Sequence, residues 1–263
     1  MNKFKMFLVL AVALCTALSI SQAIAGPVLW IDDSSGNIGT VDVATGVATK
    51  IGNAGVLLTD IAFDPSGNLW GVSFTNLYSI NKSTGTATNV GALGAGINGN
   101  NALVFSSTGI LYSASSTNKN LYTINTSTGA ATSLGQINMN NNSSGDLAFN
   151  GGSLYLSNMN DQLVKIDLSN LANSVELGDL GYSLVYGLAT AGNSVLYGVS
   201  GNTVFSVNTT TGAGTFVINY SGGGMGQAYG SAFYEEAQVP EPATMLLLGF
   251  GLLGLVGVRR FRK

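Results

Sequence analysis

The stretch DIAFDPSGNLWGVSFTNLYSINKSTGTATNVG, residues 60–91, decides the fold because the chain repeats it. The same text returns as NALVFSSTGILYSASSTNKNLYTINTSTGAATSLG at 101–135, and more loosely from Gly145 and from Tyr186. A Leu followed by Trp or Tyr marks each copy and reveals a fifth one at the start of the series. The pairs are Leu29-Trp30, Leu69-Trp70, Leu111-Tyr112, Leu154-Tyr155 and Leu196-Tyr197. A spacing of about 42 residues is typical of a β-propeller with four strands per blade.

Each copy also contains the signature of a tight hairpin. A carboxylate or amide residue follows the second apolar pair of every copy, at Asp42, Asn81, Asn125, Asp167 and Asn208. In four copies a glycine comes four residues later, and the fourth copy departs with DLSNLANS at 167–174. The Asx side chain can bond its own backbone, and glycine can adopt the positive φ that ends such a loop. We interpret the N-x-S/T sequons in these hairpins as turn chemistry and not as glycosylation sites.

The two ends of the array indicate a closed ring. The first copy lacks the DIAF element, and an equivalent, YGSAFYEE, stands alone at 229–236. One residue per blade then forms the series Phe63, Phe105, Phe149, Thr190 and Phe233. We predict an all-β, five-bladed β-propeller over residues 26–236, closed by its C-terminal strand so that no blade edge is unpaired. The alternative, a β-sandwich with accidental similarity, does not explain five landmarks in fixed order.

The repeated Leu-Trp and Leu-Tyr pairs are predicted to fill the space between blades. Small or branched residues precede the series above, at Ala62, Val104, Ala148, Ala189 and Ala232, and they suit an innermost strand where blades crowd together. The alternative for the aromatic residues is a stacking site for sugars, one per blade.

Charge distribution excludes one class of partner. Only 9% of the residues are charged, while 46% are hydrophobic. Between residues 26 and 238 there are 12 acids and 4 lysines, a net charge of −8. Such a surface repels phosphate backbones, so nucleic acid is not expected as a partner.

The N-terminus predicts export through the Sec translocon. Lys3 and Lys5 precede an apolar segment, and the small residues Ala23 and Ala25 fit a signal-peptidase site that leaves Gly26 as the mature start. Residues 1–25 are therefore predicted to be a signal peptide. A lipoprotein signal at Cys15 is the alternative, but Leu14 is bulkier than the residue that usually precedes a lipidated Cys. Without residues 1–25 the chain contains no cysteine.

The residue inventory narrows the chemistry. The chain has no His, which removes Ser-His-Asp triads and the commonest metal ligand. Asp60 and Asp146 occupy matching positions on innermost strands, so they are weak candidates for acids at the channel, where a glycosidase needs two carboxylates. The other blades have Ala102, Gly187 and Gly230 there. We expect no cofactor and no metal; the two aspartates are expected to cap turns.

Two further motifs are interpreted as structural. Asp32-Asp33 and Asp42 could bind calcium through oxygen ligands, but they do not match an EF-hand loop and we expect solvated turns. Residues 94–99 fit G-x-G-x-x-G. A strand pattern follows them, whereas phosphate binding requires a helix, so we interpret the segment as a loop between blades.

The tail differs from the rest of the chain. Val239-Pro240-Glu241-Pro242 precedes a 16-residue apolar run at 243–258 and the cationic group Arg259, Arg260, Arg262 and Lys263. A helix of that length spans about 24 Å, near the lower limit for a hydrocarbon core of roughly 30 Å. The run is predicted to be a transmembrane helix whose cationic end stays in the cytoplasm as a stop-transfer signal. A buried domain helix is disfavoured because the run has no polar face.

Residues 237–263 resemble the PEP-CTERM sorting domain of Gram-negative bacteria, in which Pro-Glu-Pro, a short apolar helix and arginines follow in that order. The resemblance implies recognition of Val239–Pro242 by an exosortase, a membrane protease-transpeptidase. It also implies transient anchoring in the inner membrane, followed by transfer to the cell surface or release, commonly in bacteria that make exopolysaccharide.

Three functions follow as expectations. The first is a non-catalytic propeller with a structural or binding role in the envelope or the extracellular polysaccharide matrix. The second is an extracellular carbohydrate-active enzyme that uses Asp60 and Asp146. The third is a lectin with one glycan site per blade.

Overall fold

The computed structural model describes residues 26–94 and 96–238, which form five four-stranded antiparallel sheets. Blade 1 contains β1 (Val28–Asp33), β2 (Asn37–Asp42) and β3 (Ala48–Asn53). Blade 2 contains β4 (Asp60–Phe63), β5 (Leu69–Val72), β6 (Asn76–Ile80) and β7 (Ala87–Ala92). Blade 3 contains β8 (Asn100–Phe105), β9 (Leu111–Ser115), β10 (Asn120–Ile124) and β11 (Ala131–Gln136).

The remaining strands complete the ring. Blade 4 contains β12 (Ser143–Asn150), β13 (Ser153–Asn158), β14 (Gln162–Ile166) and β15 (Val175–Asp179). Blade 5 contains β16 (Val185–Thr190), β17 (Leu196–Ser200), β18 (Thr203–Val207) and β19 (Gly214–Asn219). The last strand, β20 (Ala228–Phe233), joins blade 1. Two single-turn 3-10 helices lie at Leu171–Asn173 and Glu236–Gln238.

The predicted closure is confirmed. Strand β20 pairs antiparallel with β1, with Leu29 opposite Phe233 and Trp30 opposite Ala232. Strands β4, β8, β12, β16 and β20 contact one another around a closed ring, so they are the innermost strands. The two ends of the propeller are thereby held in one sheet, and the first blade has no unpaired inner edge.

The core is divided among the boundaries between blades. Each of the five boundaries contains one cluster of buried apolar side chains. Between blades 2 and 3, for example, Val72 and Leu77 share a cluster with Leu103 and Leu111. Burying one such side chain fully stabilises the fold by about 1.5–3 kcal/mol. Most of the stability therefore depends on contacts between neighbouring blades.

The repeated aromatic residues pack between blades, as predicted. Four boundaries pair a Trp or Tyr with the Phe of the next innermost strand, at centroid distances of 5.4–6.2 Å: Trp30–Phe63, Trp70–Phe105, Tyr112–Phe149 and Tyr197–Phe233. Blade 5 has Thr190 in place of Phe, so Tyr155 has no ring of that series to meet. Tyr155 and Tyr197 are buried, and Trp30, Trp70 and Tyr112 are half-buried against the clusters, so the rings contribute to packing between blades.

The outer hairpins follow the predicted chemistry. In blade 2 the carbonyl oxygen of Asn81 accepts a 2.8 Å hydrogen bond from Gly85. The Asn81 side chain accepts bonds from Ser83 and Thr84, at 2.9 and 3.2 Å. Gly85 has φ +72°, a conformation that glycine adopts at little cost. The same pair of side-chain bonds recurs in all five blades. Blade 4 ends its hairpin with the 3-10 helix Leu171–Asn173.

Neighbouring blades approach most closely where these hairpins meet the outer strand of the preceding blade. A Cβ atom built on Gly91 of β7 would lie 2.1 Å from the carbonyl oxygen of Thr128. Gly52 and Gly178 occupy equivalent places in other blades, against Thr84 and Thr211. Glycine at these positions allows the blades to pack backbone against backbone.

Candidate functional site

The two predicted channel acids meet at the propeller axis. Asp60 begins β4 and Asp146 lies in β12, and both side chains are fully buried. Their carboxyl groups are within hydrogen-bond reach of each other. The repeat alignment gives them matching positions on two innermost strands, and neither is exposed to solvent there.

Both carboxyl groups are engaged by the innermost strands. Asp60 accepts hydrogen bonds from its neighbour Ile61 at 2.7 Å and from the Leu103 amide of blade 3 at 2.6 Å. Asp146 accepts bonds from Leu147 at 2.6 Å and from the Leu188 amide of blade 5 at 2.7 Å. It also accepts a 3.3 Å bond from the Ser231 hydroxyl of β20. The acids connect blades, rather than capping the turns that we expected.

Burial determines the charge state of this pair. Desolvation raises the pKa of Asp60 well above its ordinary value, and the adjacent Asp146 raises it further. Desolvation also raises the pKa of Asp146, against the lowering effect of its hydrogen bonds from Asp60, Leu188 and Leu147. Two buried carboxyls in contact are stable when they share a proton.

A third acid, Asp32, corrects the prediction of a solvated turn. Asp32 is fully buried in β1 opposite Gly230. A Cβ atom at Gly230 would lie 2.6 Å from the Asp32 Oδ1 and 2.3 Å from the Asp60 Oδ1, so the two carboxyls meet above this glycine. Among the described residues neither Asp32 oxygen has a hydrogen-bond partner. Burial raises the pKa of Asp32 to about 8.

The sequence contained a signal for Asp32. Its position, three residues after the Leu of each Leu-aromatic pair, is held in the other copies by Val72, Ala114, Ser157 and Val199. Asp32 is the one carboxylate at a position where the other four copies have small or apolar residues. This departure from the repeat indicates a residue with a role of its own.

The other calcium candidates stabilise turns. Asp33 is buried and accepts hydrogen bonds from the amides of Ser35 and Asn37 and from the distant amide of Gly226. Burial raises the pKa of Asp33, but these bonds outweigh it and hold the pKa below its ordinary value. Asp42 caps the β2–β3 hairpin. In residues 26–94 and 96–238 no three His, Cys, Asp or Glu side chains are grouped to hold a metal ion.

Glu236 closes the end of the channel at which the innermost strands finish. It belongs to the 3-10 helix Glu236–Gln238, which contacts β8 and β12. The Glu236 carboxylate, 9% exposed, accepts a 3.1 Å hydrogen bond from Phe149. Desolvation raises its pKa well above the ordinary value, and the charge of Asp146 adds to this effect. Glu236 is the last residue of the repeat element 229–236, and no equivalent acid in the other copies marks it as a residue of the channel.

A pocket of about 510 Å³ opens at the other end of the channel, where the innermost strands begin. Its floor is the residue layer directly before the acid layer, contributed by all five innermost positions: Thr59, Asn101, Gly145, Tyr186 and Tyr229. Its rim contains the exposed side chains of Leu57, Phe74, Met159 and Leu184. The rim residues lie in loops outside the repeat landmarks, so the repeat alignment could not identify them.

Of the remaining motifs, the glycine-rich loop lies within the described residues, whereas the signal peptide and the tail lie outside them. Gly94 and Gly96, with φ +60° and +73°, lie in the loop before β8, as predicted. The signal peptide with Ala23 and Ala25, the sorting residues 239–242, the apolar run 243–258 and the terminal cations lie outside the described residues. Within the described part of the chain, no helix has the length and apolarity needed to cross a membrane.

Comparisons with known proteins agree with the tail and the repeats. Residues 238–263 match the PEP-CTERM protein-sorting motif, and residues 60–187 match the Repeat of unknown function (DUF6923). No curated protein matches the chain.

Solved structures share the fold at low sequence identity. A Bacteroides thetaiotaomicron protein of unknown function has 16% identity and a TM-score of 0.57, over 81% of this chain and 63% of that one. A nidogen/laminin complex has 15% identity and a TM-score of 0.54, over 80% and 81%. A Xanthomonas campestris gluconolactonase has 14% identity and a TM-score of 0.52, over 75% and 78%. Identities this low show the propeller fold alone.

The sorting motif and the closed propeller together define what kind of protein this is. The motif implies recognition by an exosortase and indicates export toward the cell surface. The chain is thus an exported, surface-directed protein that carries a PEP-CTERM protein-sorting motif next to a five-bladed β-propeller.

Proposed function

We propose that the propeller is a non-catalytic structural or binding domain of the cell surface or the extracellular polysaccharide matrix. The observation that carries the proposal is the state of the channel acids. Asp60 and Asp146 are fully buried, are in contact with each other, and accept hydrogen bonds from strand amides. Carboxyls in such an arrangement connect blades, and a substrate cannot reach them without separating the innermost strands.

The same observation argues against the enzyme alternative. A retaining glycosidase holds its two carboxyl groups about 5–5.5 Å apart, and an inverting one holds them farther apart to admit a water molecule. Both kinds need an open cleft over the acids. Asp60 and Asp146 are in direct hydrogen-bond reach, beneath the floor of the pocket.

The proposed route to the surface uses both ends of the chain. The Sec translocon exports the chain, and signal peptidase cleaves between Ala25 and Gly26. The apolar run 243–258 then anchors the chain in the inner membrane with Arg259 and Arg260 on the cytoplasmic side. An exosortase finally processes the chain near residues 239–242 and delivers the propeller to the surface. The sorting motif supports this order of steps.

Expression of the full chain in a Gram-negative host with an exosortase tests the route. Mass spectrometry of the surface-associated protein is expected to find Gly26 at the N-terminus and no residues beyond the processing site. A variant with Pro240→Ala and Pro242→Ala should stay in the membrane, while the matched control Pro65→Ala should be processed normally. A surface form that ends at Lys263 would contradict sorting by cleavage.

A second assay tests the absence of catalysis. The exported protein is incubated with neutral and acidic polysaccharides, and new reducing ends are measured. We expect none above the level of a preparation carrying Asp60→Asn and Asp146→Asn. Release of oligosaccharides that this double variant loses would overturn the proposal and restore the glycosidase hypothesis.

A further inference from the structure

The pocket at the start of the innermost strands combines an apolar rim with a polar floor. Leu57, Phe74, Met159 and Leu184 are 46%, 49%, 45% and 60% exposed, respectively, and they surround one opening of about 510 Å³. Cavities of this size accommodate small molecules and usually have mostly apolar walls with a few fixed polar groups. The four side chains come from different blades or loops, so the opening is a property of the closed ring.

The backbone at the rim is held in an uncommon conformation. Asp161 and Leu184, both of which line the pocket, have φ +56° and +55°. Among the described residues only one other non-glycine residue, Ser194, has a positive φ. A bulky residue such as Leu rarely adopts this conformation, and strained residues of this kind concentrate at binding sites.

The floor contains a hydrogen-bond acceptor that the protein does not use. Asn101 is 93% buried, and its Nδ2 donates a 3.1 Å hydrogen bond to the Ser143 carbonyl oxygen. Its Oδ1 has no partner in the described part of the chain. Leaving such a group unpaired costs about 1–3 kcal/mol, which a ligand with hydroxyl groups would relieve.

The aromatic residues of the pocket offer apolar faces beside polar tips. Tyr186 and Tyr229 pack edge to face at a centroid distance of 5.9 Å. Burial raises the pKa of the Tyr186 hydroxyl, and the charges of Tyr229 and Asp161 raise it further. The hydroxyl therefore stays protonated and remains a donor. Phe74 also lines the pocket, with half of its surface exposed.

The charges near the pocket exclude anionic ligands. The lining contains one ionisable carboxylate, Asp161, and none of the four lysines of the described chain. The whole described region carries a net charge of −8. A phosphate, sulfate or uronate group would meet repulsion at this opening and would have no cation to pair with.

We propose that this pocket is a single axial binding site for a neutral saccharide unit of an extracellular polysaccharide. A sugar ring presents an apolar C–H face for Phe74 and the tyrosines, and hydroxyl groups for the Asn101 Oδ1. An apolar peptide would cover the rim but would leave the Asn101 Oδ1 without a hydrogen-bond donor. The inference rests on the proposed matrix role and gives it a ligand class and a position.

Isothermal titration calorimetry with the exported protein tests the site. The probes are neutral oligosaccharides derived from cellulose, dextran, mannan and galactan, an alginate oligosaccharide as the anionic probe, a chitosan oligosaccharide as the cationic probe, and a Leu- and Phe-rich peptide. We expect at least one neutral probe to bind with one site per propeller. Phe74→Ala and Tyr229→Ala should each lower its association constant about tenfold.

A matched control separates the pocket from general surface effects. Phe216 is 56% exposed on the outer strand β19, away from the pocket, so Phe216→Ala should leave the affinity unchanged. Asn101→Leu tests the floor, because it removes the Oδ1 acceptor. It should also weaken neutral binding. Circular dichroism checks that each variant is folded.

Each of the other possible results would overturn one part of the proposal. Binding of no probe, five sites per propeller, or equal loss with Phe216→Ala would overturn the axial site. Preference for alginate, chitosan or the peptide would overturn the neutral ligand class. Binding followed by release of reducing ends would leave the site standing and overturn the non-catalytic function. Export and processing of a protein that binds no saccharide would overturn the axial site and leave the proposed surface location standing.

Discussion

The outer hairpins of the propeller repeat from blade to blade, whereas the residues at its axis do not. All five hairpins use one Asx side chain to accept the same two amide hydrogen bonds. The axial layer has instead two acids, one alanine and two glycines, at Asp60, Asp146, Ala102, Gly187 and Gly230. The repeated part specifies the fold, and the part that breaks the repeat determines the properties of the channel.

The physical reason for the difference is the space available. Each outer hairpin has its own surroundings, so the same local solution works five times. At the axis all five strands share one space, and a large side chain in one blade requires a small residue in another. Gly230 shows this directly, because the carboxyls of Asp32 and Asp60 occupy the space that a side chain at 230 would fill.

The largest effect is expected from removing an axial acid. Asp146→Ala deletes the acceptor of the Leu147 and Leu188 amides and of the Ser231 hydroxyl, at the contact of three blades. Buried donors left unpaired cost about 1–3 kcal/mol each, so the free energy of unfolding should fall by about 4 kcal/mol. Urea denaturation followed by tryptophan fluorescence measures the change.

A graded variant sharpens that experiment. Asp146→Asn keeps one acceptor oxygen and should cost about half as much as Asp146→Ala. If both variants were as stable as the native protein, the acids would not be the connection between blades that their hydrogen bonds indicate.

The second effect is a pH dependence that arises at Asp32. Its pKa is raised from 3.8 to about 8 in the folded protein, so the folded state holds a proton that the unfolded state releases. The free energy of unfolding should therefore fall as the pH rises from about 4 to 8. Asp32→Asn removes this titration. Because each pKa unit corresponds to about 1.4 kcal/mol, the rise from 3.8 to about 8 corresponds to a loss of about 6 kcal/mol over this pH range in the native protein, and the variant should not show this loss.

The control for this prediction is an aspartate outside the axis. Asp179 is exposed and accepts a hydrogen bond from Gly181, which asparagine can also accept. The slope of stability against pH should be smaller in Asp32→Asn than in the matched variant Asp179→Asn. Asp60, Asp146 and Glu236 contribute to the slope in both the native protein and Asp32→Asn. Equal slopes in the two would therefore contradict the assignment of a pH dependence to Asp32.

The same contrast explains what the sequence could predict. Blade number, strand order and closure by β20 followed from landmarks such as Leu69-Trp70 that recur in register. The matching positions of Asp60 and Asp146 on innermost strands also followed from that register, but the contact between their carboxyls did not, because we expected both residues to cap turns. Asp32 was placed in a turn because its neighbours Asp33 and Ser34 are turn residues, and strand pairing with Gly230 decided otherwise. The rim residues Phe74 and Met159 lie in loops of unequal sequence, where only the folded ring brings them together.

The third effect concerns the contact between repeated elements. Gly91→Ala places a methyl group 2.1 Å from the Thr128 carbonyl oxygen, so the backbones of blades 2 and 3 must move apart. Overpacking of this kind typically costs 1–3 kcal/mol, and we expect a loss of about 2 kcal/mol in the free energy of unfolding. Gly192→Ala is the control, since its nearest neighbour is the flexible Glu235 side chain at 3.2 Å. Equal losses in the two variants would contradict a specific contact between blades.

The smallest effect tests whether the outer edge is as uniform in energy as it is in geometry. Asn81→Ala and Asn125→Ala each remove a side chain that accepts two amide bonds of 2.9 and 3.2 Å in an exposed hairpin. Water can replace these acceptors, so each variant should lose only about 1 kcal/mol in the free energy of unfolding. The two losses should agree within about 0.5 kcal/mol, and the double variant should show their sum because the hairpins do not share partners. Unequal losses would mean that neighbouring blades, and not the local turn chemistry, determine the stability of the outer edge.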